Sequence, residues 1–446
     1  RGDKRMETKL DRIAEIAKER PNEKFTSLAH LLDEETLMQC HKEINGNKAT
    51  GIDRVTKAEY EQELDSNIKE LVAKLKRRAY RPQPARRVNI PKPGTDKTRP
   101  LGVLAYEDKI VQRGMAKILN AIYEQDFLDF SYGFRPNRSC HDALKRLNII
   151  IQCRKTNYIV DADIKGFFDN VDHEWMMKFI SHRIADPRFQ QLIKKTLKAG
   201  YMGEDTMHET EGGTTQGGLI SPILANLYLH YVLDIWFDRV VKPRCRGEAY
   251  MVRYADDFVC CFQYEDDANR FYNALQNRLG KFNLSIAVEK TKIISFGRFA
   301  EEKCAKQGKK KPDTFDFLGF THYCSKSQQG KFRVKRRTSR KKYKAALLSM
   351  KEWIRNNRTT PIQKLMKELN VKLRGHYQYY GITDNTRISS FYNDTMLLLY
   401  KWLNRRSQRA SFGWDKYNLF LKRHAILKPK VYVSIYDTKN RIGYVT

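Results

Sequence analysis

Residues 251–262 read MVRYADDFVCCF, two apolar β-type runs on either side of Ala255-Asp256-Asp257. Runs of this length, rich in β-branched and aromatic residues and broken by a short polar turn, indicate two strands joined by a hairpin. A second acidic run lies roughly 90 residues upstream: Tyr158–Asp163 (YIVDAD), followed by Phe167, Phe168 and a helical stretch. Paired aspartates in loops ordinarily serve as caps or turn residues. Two acidic elements that both sit at strand ends suggest something else. Carboxylates held side by side repel, and the repulsion opposes ionisation unless cations neutralise it. An oxygen-rich set of this kind suits Mg2+, which binds few carboxylates and completes its shell with water and phosphate oxygens. Two such ions about 3.5–4 Å apart would serve an in-line displacement at phosphorus.

On both sides of these motifs the chain divides by pattern. Residues 1–75 read as helical, with Leu28, Leu31, Leu32 and Leu37 near helical spacing and a polar Gly-containing loop over Asn45–Asp53. Prolines at 82, 84, 91, 93 and 100 forbid long helix, so Arg86–Ile90 is expected as a strand running into a turn at Gly94-Thr95-Asp96. Tyr106–Tyr123 has the spacing of an amphipathic helix. Strands alternating with helices imply an α+β or α/β unit over roughly 76–300. Residues 301–313 read as a basic polar loop and Phe315–Tyr323 as strand-like. From Arg333 the pattern is helical and basic, anchored by Trp353, Ile354, Leu365, Leu369 and Leu373. The expected units are 1–75, 76–325 and 326–446.

Charge separates along the same lines. The 446 residues hold 84 Lys and Arg against 52 Asp and Glu, a net +32. From Lys331 to Thr446 there are 28 against 6, so +22 lies in the last 116 residues. A lysine-rich face that only aids solubility does not need that concentration. A polyanion partner does, because each neutralised phosphate releases condensed counterions. Arg333–Lys344 (RVKRRTSRKKYK) packs eight basic residues into twelve, and Tyr377, Tyr379, Tyr380, Tyr400, Trp402 and Trp414 follow among Arg and Lys. Each aromatic taken alone reads more readily as core; the segment as a whole reads as a nucleic-acid surface. Eight cysteines without C-x-x-C spacing argue for reduced thiols rather than disulfides or a zinc site. No apolar run approaches the ~18 residues that cross a bilayer.

These motifs together resemble the reverse transcriptases, most closely those encoded by group II introns (maturases). Tyr158–Asp169 (YIVDADIKGFFD) is similar to the first catalytic motif of that family, and YADD at 254–257 to its second. The resemblance implies Asp163, Asp256 and Asp257 as catalytic carboxylates and ligands of two Mg2+ ions, with Asp161 as the alternative inside the first motif, assigned a structural role. TQGGLISPILANLYL resembles the segment supporting template and nucleotide, which puts Gln216 and Gly217 there. Residues 80–102 resemble the fingers, with Lys92 and Arg99 on the triphosphate; Lys290 in AVEKTKI lies near the same group. Phe168, five residues after Asp163, would sit beneath the sugar and reject a 2′-hydroxyl, with Phe167 the core residue. FDFLGF at 315–320 resembles the primer grip, and GHYQYYG at 375–381 the maturase (X) segment.

The implied architecture is an α+β right-hand polymerase, fingers and palm, with a C-terminal mostly α-helical thumb/X domain. The implied function is RNA-directed DNA synthesis by two-metal nucleotidyl transfer, with binding of the intron RNA to assist splicing and copying of that RNA during retrohoming. Arg336, Arg337, Arg340, Lys341, Lys342, Arg374 and Tyr377 are the expected RNA contacts. Intron RNA, target DNA with its primer, and dNTP are the expected partners of a monomer or dimer in the bacterial cytosol, as a nucleoid-associated ribonucleoprotein without membrane attachment. No His/Cys cluster offers an endonuclease site, so the intron RNA itself would attack the target. A splicing-only maturase would be expected to have lost a catalytic aspartate, and all three are present. A domesticated relative, in phage defence or spacer acquisition, is disfavoured by GHYQYYG.

Overall fold

The computed structural model describes residues 2–91, 98–203, 206–208, 212–214, 217–406 and 413–436. Its strands are β1 (Ala85–Pro91), β2 (Thr98–Val103), β3 (Tyr158–Asp163), β4 (Tyr201–Gly203), β5 (Thr206–His208), β6 (Ala249–Tyr254), β7 (Asp257–Phe262), β8 (Lys292–Ser295), β9 (Phe315–Phe317), β10 (Phe320–Lys326) and β11 (Phe332–Thr338). They form three sheets, ordered β2-β1-β4-β5, β6-β7-β3-β8 and β11-β10-β9.

The β6-β7-β3-β8 sheet is antiparallel at every junction, with β3 between β7 and β8. Both of its faces are covered, which explains the near-continuous apolar run in FVCCF. One face carries Ile159, Val259 and Cys261 into a core shared with Leu144, Leu147 and Ile151 of the helix Cys140–Cys153 and with Phe315, Phe317 and Val334. The other carries Val160, Phe258, Cys260 and Phe262 into a larger core with Tyr228, Phe237 and Phe271. That second core continues without a break into the N-terminal helices through Leu28, Leu37 and Leu71, packed with Ile110, Met115 and Ile118 of the helix Tyr106–Tyr123. A third core, around Ile354, Leu365, Leu369, Leu373, Tyr377, Phe391 and Tyr417, joins the helices Arg340–Asn357, Ile362–Tyr380, Arg387–Leu403 and Trp414–Arg423.

Three expectations are corrected. Residues 301–313 are not all loop, since Ala300–Lys306 is helical. The basic run from Arg333 begins as a strand, Phe332–Thr338, and helix starts only at Arg340. A boundary at 325/326 therefore cuts through the β10–β11 hairpin, in which Lys326 pairs with Phe332 and Phe320 with Thr338. The β periodicity was hard to see because the inward positions of β11 are Val334, Arg336 and Thr338, so an arginine stands where an apolar residue would mark the buried face. Among the described residues no helix is long and apolar enough to cross a membrane, and all eight cysteines are free.

Candidate active site

Asp163 ends β3, Asp257 opens β7, and the two are direct cross-strand partners. β6 and β7 are joined by a two-residue turn, since Tyr254 pairs with Asp257 and leaves only Ala255 and Asp256 between them. Such tight turns match strand twist when a central residue is left-handed, and Ala255 has φ +56°. For an alanine that conformation costs roughly 1–2 kcal/mol. Asp161 lies two residues before Asp163, so the period of two puts both on the face that holds Asp257.

Four carboxylates thus crowd one end of the sheet. Burial pushes the Asp257 carboxyl up to about 8, with the charges of Asp161, Asp256 and Asp163 adding to it and a backbone hydrogen bond from Leu318 opposing. Asp161 is pushed up to about 7 by burial, helped by Asp316 and Asp163 and opposed by Lys292. Asp256 is raised by burial and by Asp163. The countercharge nearest Asp163 is Lys290, whose Nζ donates to Oδ2 at 2.8 Å; that carboxylate holds the ammonium above its ordinary range. Lys290 is brought there by the backbone, because the Ala287 N–H donates to the Asp163 carbonyl at 2.8 Å.

Among the described residues, no three Asp, Glu, His or Cys side chains converge tightly enough to hold an ion unaided. The chemistry of the set nevertheless fits a divalent cation. The carboxylates are partly desolvated, mutually repelling and short of positive charge, and Mg2+ ordinarily draws its remaining ligands from water and substrate phosphate.

Around this end lie further expected residues. Phe168 is half-buried on the short turn Phe167–Asp169, edge-on to the buried Phe167 at 5.4 Å between centroids. Its carbonyl accepts from Thr214 N at 2.7 Å, which lays the segment before TQGG against the first acidic motif. Gly217 has φ +107°, and a Cβ there would come within 2.6 Å of the Gly102 carbonyl on β2. Only glycine allows that approach to the β1–β2 hairpin. Arg99 is exposed on β2, paired with Ile90. Lys92 and Gln216 lie outside the described residues. The β9–β10 turn of FDFLGF has both central residues left-handed, Leu318 at +51° and Gly319 at +81°, and it reaches Asp257 through the Leu318 backbone.

Of the expected RNA contacts, Arg337, Arg340, Lys341, Lys342 and Arg374 are exposed. Two are not surface residues. Arg336 is fully buried and its Nη2 donates to Asn148 Oδ1 at 2.7 Å, because strand alternation turns it inward while Arg337 turns out. Tyr377 is fully buried in the third core, on the inner stripe it shares with Leu369 and Leu373. Sequence reasoning passed over Arg253, whose side chain has no exposure and pairs with the equally buried Asp234. Its signal was a charged residue inside an otherwise apolar strand, which requires a buried partner.

The sequence matches known families and proteins. The model of the reverse transcriptase (RNA-dependent DNA polymerase) family matches residues 90–322, and that of the group II intron maturase-specific domain matches residues 334–420. The group II intron-encoded protein LtrA of Lactococcus lactis subsp. cremoris is 33% identical over 304 residues, 66% of this chain and 50% of that protein. Protein YkfC of Escherichia coli (strain K12) is 31% identical over 322 residues, 65% of this chain and 80% of that protein. An uncharacterized 91 kDa protein in the cob intron of Schizosaccharomyces pombe is 41% identical over 163 residues, 36% of this chain and 20% of that protein. The chain thus spans about half the length of LtrA. The match over more than half of the chain, centred on the paired acidic strand ends, makes it a member of the reverse transcriptase family, in the form that carries a group II intron maturase-specific domain.

Proposed function

We propose that this chain is the RNA-directed DNA polymerase of a group II intron, and that it also binds the intron RNA to assist splicing and copies it during retrohoming by target-primed reverse transcription. The observation that carries the polymerase reading is the register of β3 against β7, which sets Asp163 directly across from Asp257 with Asp256 on the adjoining turn. In right-hand terms the β6-β7-β3-β8 sheet is the palm, the β1–β2 hairpin belongs to the fingers, and the helices from Arg340 onward form the thumb/X region.

Members of the family generally depend on a divalent metal. Asp163, Asp256 and Asp257 would hold two Mg2+ ions. When bound, these ions lower the barrier to attack by the primer 3′-hydroxyl and neutralise the departing pyrophosphate. Lys290, paired with Asp163, would offer its ammonium to the triphosphate beside that carboxylate. Arg99 on β2 and Lys92 grip the triphosphate, the guanidinium as a planar fork and the ammonium as a point charge. Gln216 and Gly217 support the template and the incoming dNTP. Phe168 closes the floor beneath the sugar and sets the preference for deoxyribonucleotides. Arg337, Arg340, Lys341, Lys342 and Arg374 offer the intron RNA a basic face that a flexible polyanion can follow. The partners are intron RNA, target DNA with its primer, and dNTP. The setting is the bacterial cytosol, as a monomeric or dimeric ribonucleoprotein at the nucleoid.

The test is primer extension on an RNA template with Mg2+ and dNTPs, comparing the parent with Asp256→Asn. Extension by the parent and its loss in the variant, with RNA binding retained, support the reading. A parent that extends nothing, or a variant that extends equally, removes it.

A further inference from the structure

β6 holds a single charged side chain, Arg253, and it is completely buried. All five of its N–H groups are spent. Nε and one Nη2 hydrogen go to the two oxygens of Asp234, at 2.7 and 2.6 Å. The other Nη2 hydrogen goes to Ser131 Oγ at 2.8 Å. Nη1 reaches Asn226 Oδ1 at 3.1 Å and the carbonyl of Ala255 at 2.8 Å. A guanidinium has five donors in a fixed fork and no others, so this one is saturated by four residues on three segments, Asn226 and Asp234 sharing one helical stretch.

The last of those bonds matters most. Ala255 is the left-handed residue of the turn that carries Asp256 and opens onto Asp257. The second side of the turn is closed by Gly133, where a Cβ would lie 2.3 Å from Ala255 N. Gly133 is itself fixed, its carbonyl accepting from Asn226 Nδ2 at 2.7 Å, so Asn226 binds both the arginine and the segment that presses on the turn. Backbone bonds from Arg253 N to Phe130 O and from Tyr132 N to Arg253 O lock that segment along β6. Asp234, the counterion, ends the π-helical stretch His230–Asp234 and is also without exposure. Helical irregularities of that type are frequent near functional sites.

Buried ion pairs add little net stability compared with well-packed apolar residues. An arginine with every donor engaged beneath a strained turn is better explained by what it orients. The geometry points to Arg253 as a positioning residue of the polymerase site. Anchored by Asp234, it holds the Ala255 carbonyl so that Asp256 and Asp257 face Asp163 in the arrangement that binds divalent cations. Supporting groups behind metal ligands typically change metal affinity or activity by about 10–100-fold when removed. This inference rests on the polymerase reading, but its test has a readout that does not.

Arg253→Lys keeps the charge and loses the fork. The measurement is Mn2+ binding to the full chain by electron paramagnetic resonance, alongside the Mg2+ concentration giving half-maximal primer extension, the KM for dNTP at saturating Mg2+, and thermal melting. The expected result is about 10–100-fold weaker Mn2+ binding, a matching rise in the Mg2+ requirement, a nearly unchanged KM and a cooperative melt. Adding Ala255→Gly should recover part of the lost affinity, because glycine adopts the turn conformation freely. Parental Mn2+ affinity in a cooperatively melting Arg253→Lys protein overturns the inference. If Arg253→Lys does not melt cooperatively, Asn226→Ala decides, since it removes one neutral partner and no charge; unchanged Mn2+ affinity there overturns it equally. A parent that binds Mn2+ but extends no primer instead counts against the polymerase reading alone.

Discussion

Asp257 is in the least favourable position of the acidic group, half-buried and facing three other carboxylates. Its carboxyl keeps a proton in the fold up to about pH 8, whereas the unfolded chain releases it near the ordinary value of 3.8. The folded value is raised, so stability from this group is present below about pH 4 and is lost as pH rises toward 8. On the proposed function, carboxylates set to bind cations are strained when the cations are withheld. In EDTA at pH 8, Asp257→Asn is therefore expected to melt higher than the parent, by roughly 1 °C for each kcal/mol relieved, while abolishing extension. An equal or lower melting temperature would count against the repulsion. Phe168 poses a different question. Its ring is half-buried against Phe167, whose own side chain is core. Phe168→Ala should raise ribonucleotide incorporation relative to deoxyribonucleotide by about 10–200-fold, the range available to a shape contact. Equal sugar selectivity in parent and variant would reject the assignment.

Among the elements, the three-stranded sheet β11-β10-β9 joins the acidic end of the β6-β7-β3-β8 sheet to the basic C-terminal helices. Its middle strand buries His322, stacked on Phe315 at 4.8 Å between ring centroids and 8° between planes. Burial, with the nearby charge of Arg336, holds the imidazole well below its ordinary 6.5. The unfolded chain takes up this proton first on acidification. The contribution is therefore intact above about pH 6.5 and declines as pH falls below it. His322→Phe should flatten the loss of stability between about pH 6.5 and 5 by up to one proton in the slope. Denaturant midpoints across that range measure it, and parallel parent and variant curves would contradict it. Elements were legible where their period was clean. The helix Tyr106–Tyr123 and the strand Tyr158–Asp163 occur with the expected bounds. Phe332–Thr338 did not show its period, because Arg336 occupies an inward position that only a partner such as Asn148, distant in sequence, makes tolerable.

Across the whole molecule the charge is segregated, and the excess on the last 116 residues (28 basic against 6 acidic) exceeds what the rest of the chain carries. Arg337, Arg340, Lys341 and Lys342 stand exposed where the three-stranded sheet meets the first C-terminal helix. Affinity for structured RNA should fall linearly on a logarithmic salt scale. Replacing Lys341 and Lys342 by Gln should weaken binding to different RNAs alike and reduce the slope by about one for each phosphate no longer neutralised. Filter binding over a salt series tests this; an unaltered slope would remove both lysines from the interface. Arg336→Gln serves as the contrast, since a buried arginine should affect melting rather than the slope.

Local features with a clean pattern follow from the order of amino acids alone: the strand Tyr158–Asp163, the turn that bears the aspartates, and where positive charge accumulates. These depend on neighbours a few residues apart, through the two-residue period of a strand and the 3.6-residue period of a helix. The folded chain was needed to establish that Asp163 pairs with Asp257, that Asp161 joins them on one face, that Arg336 and Tyr377 are interior, and that Arg253 reaches the turn from beneath. Register and burial arise from contacts between segments tens to hundreds of residues apart, and no local period encodes which distant partner satisfies a given charge.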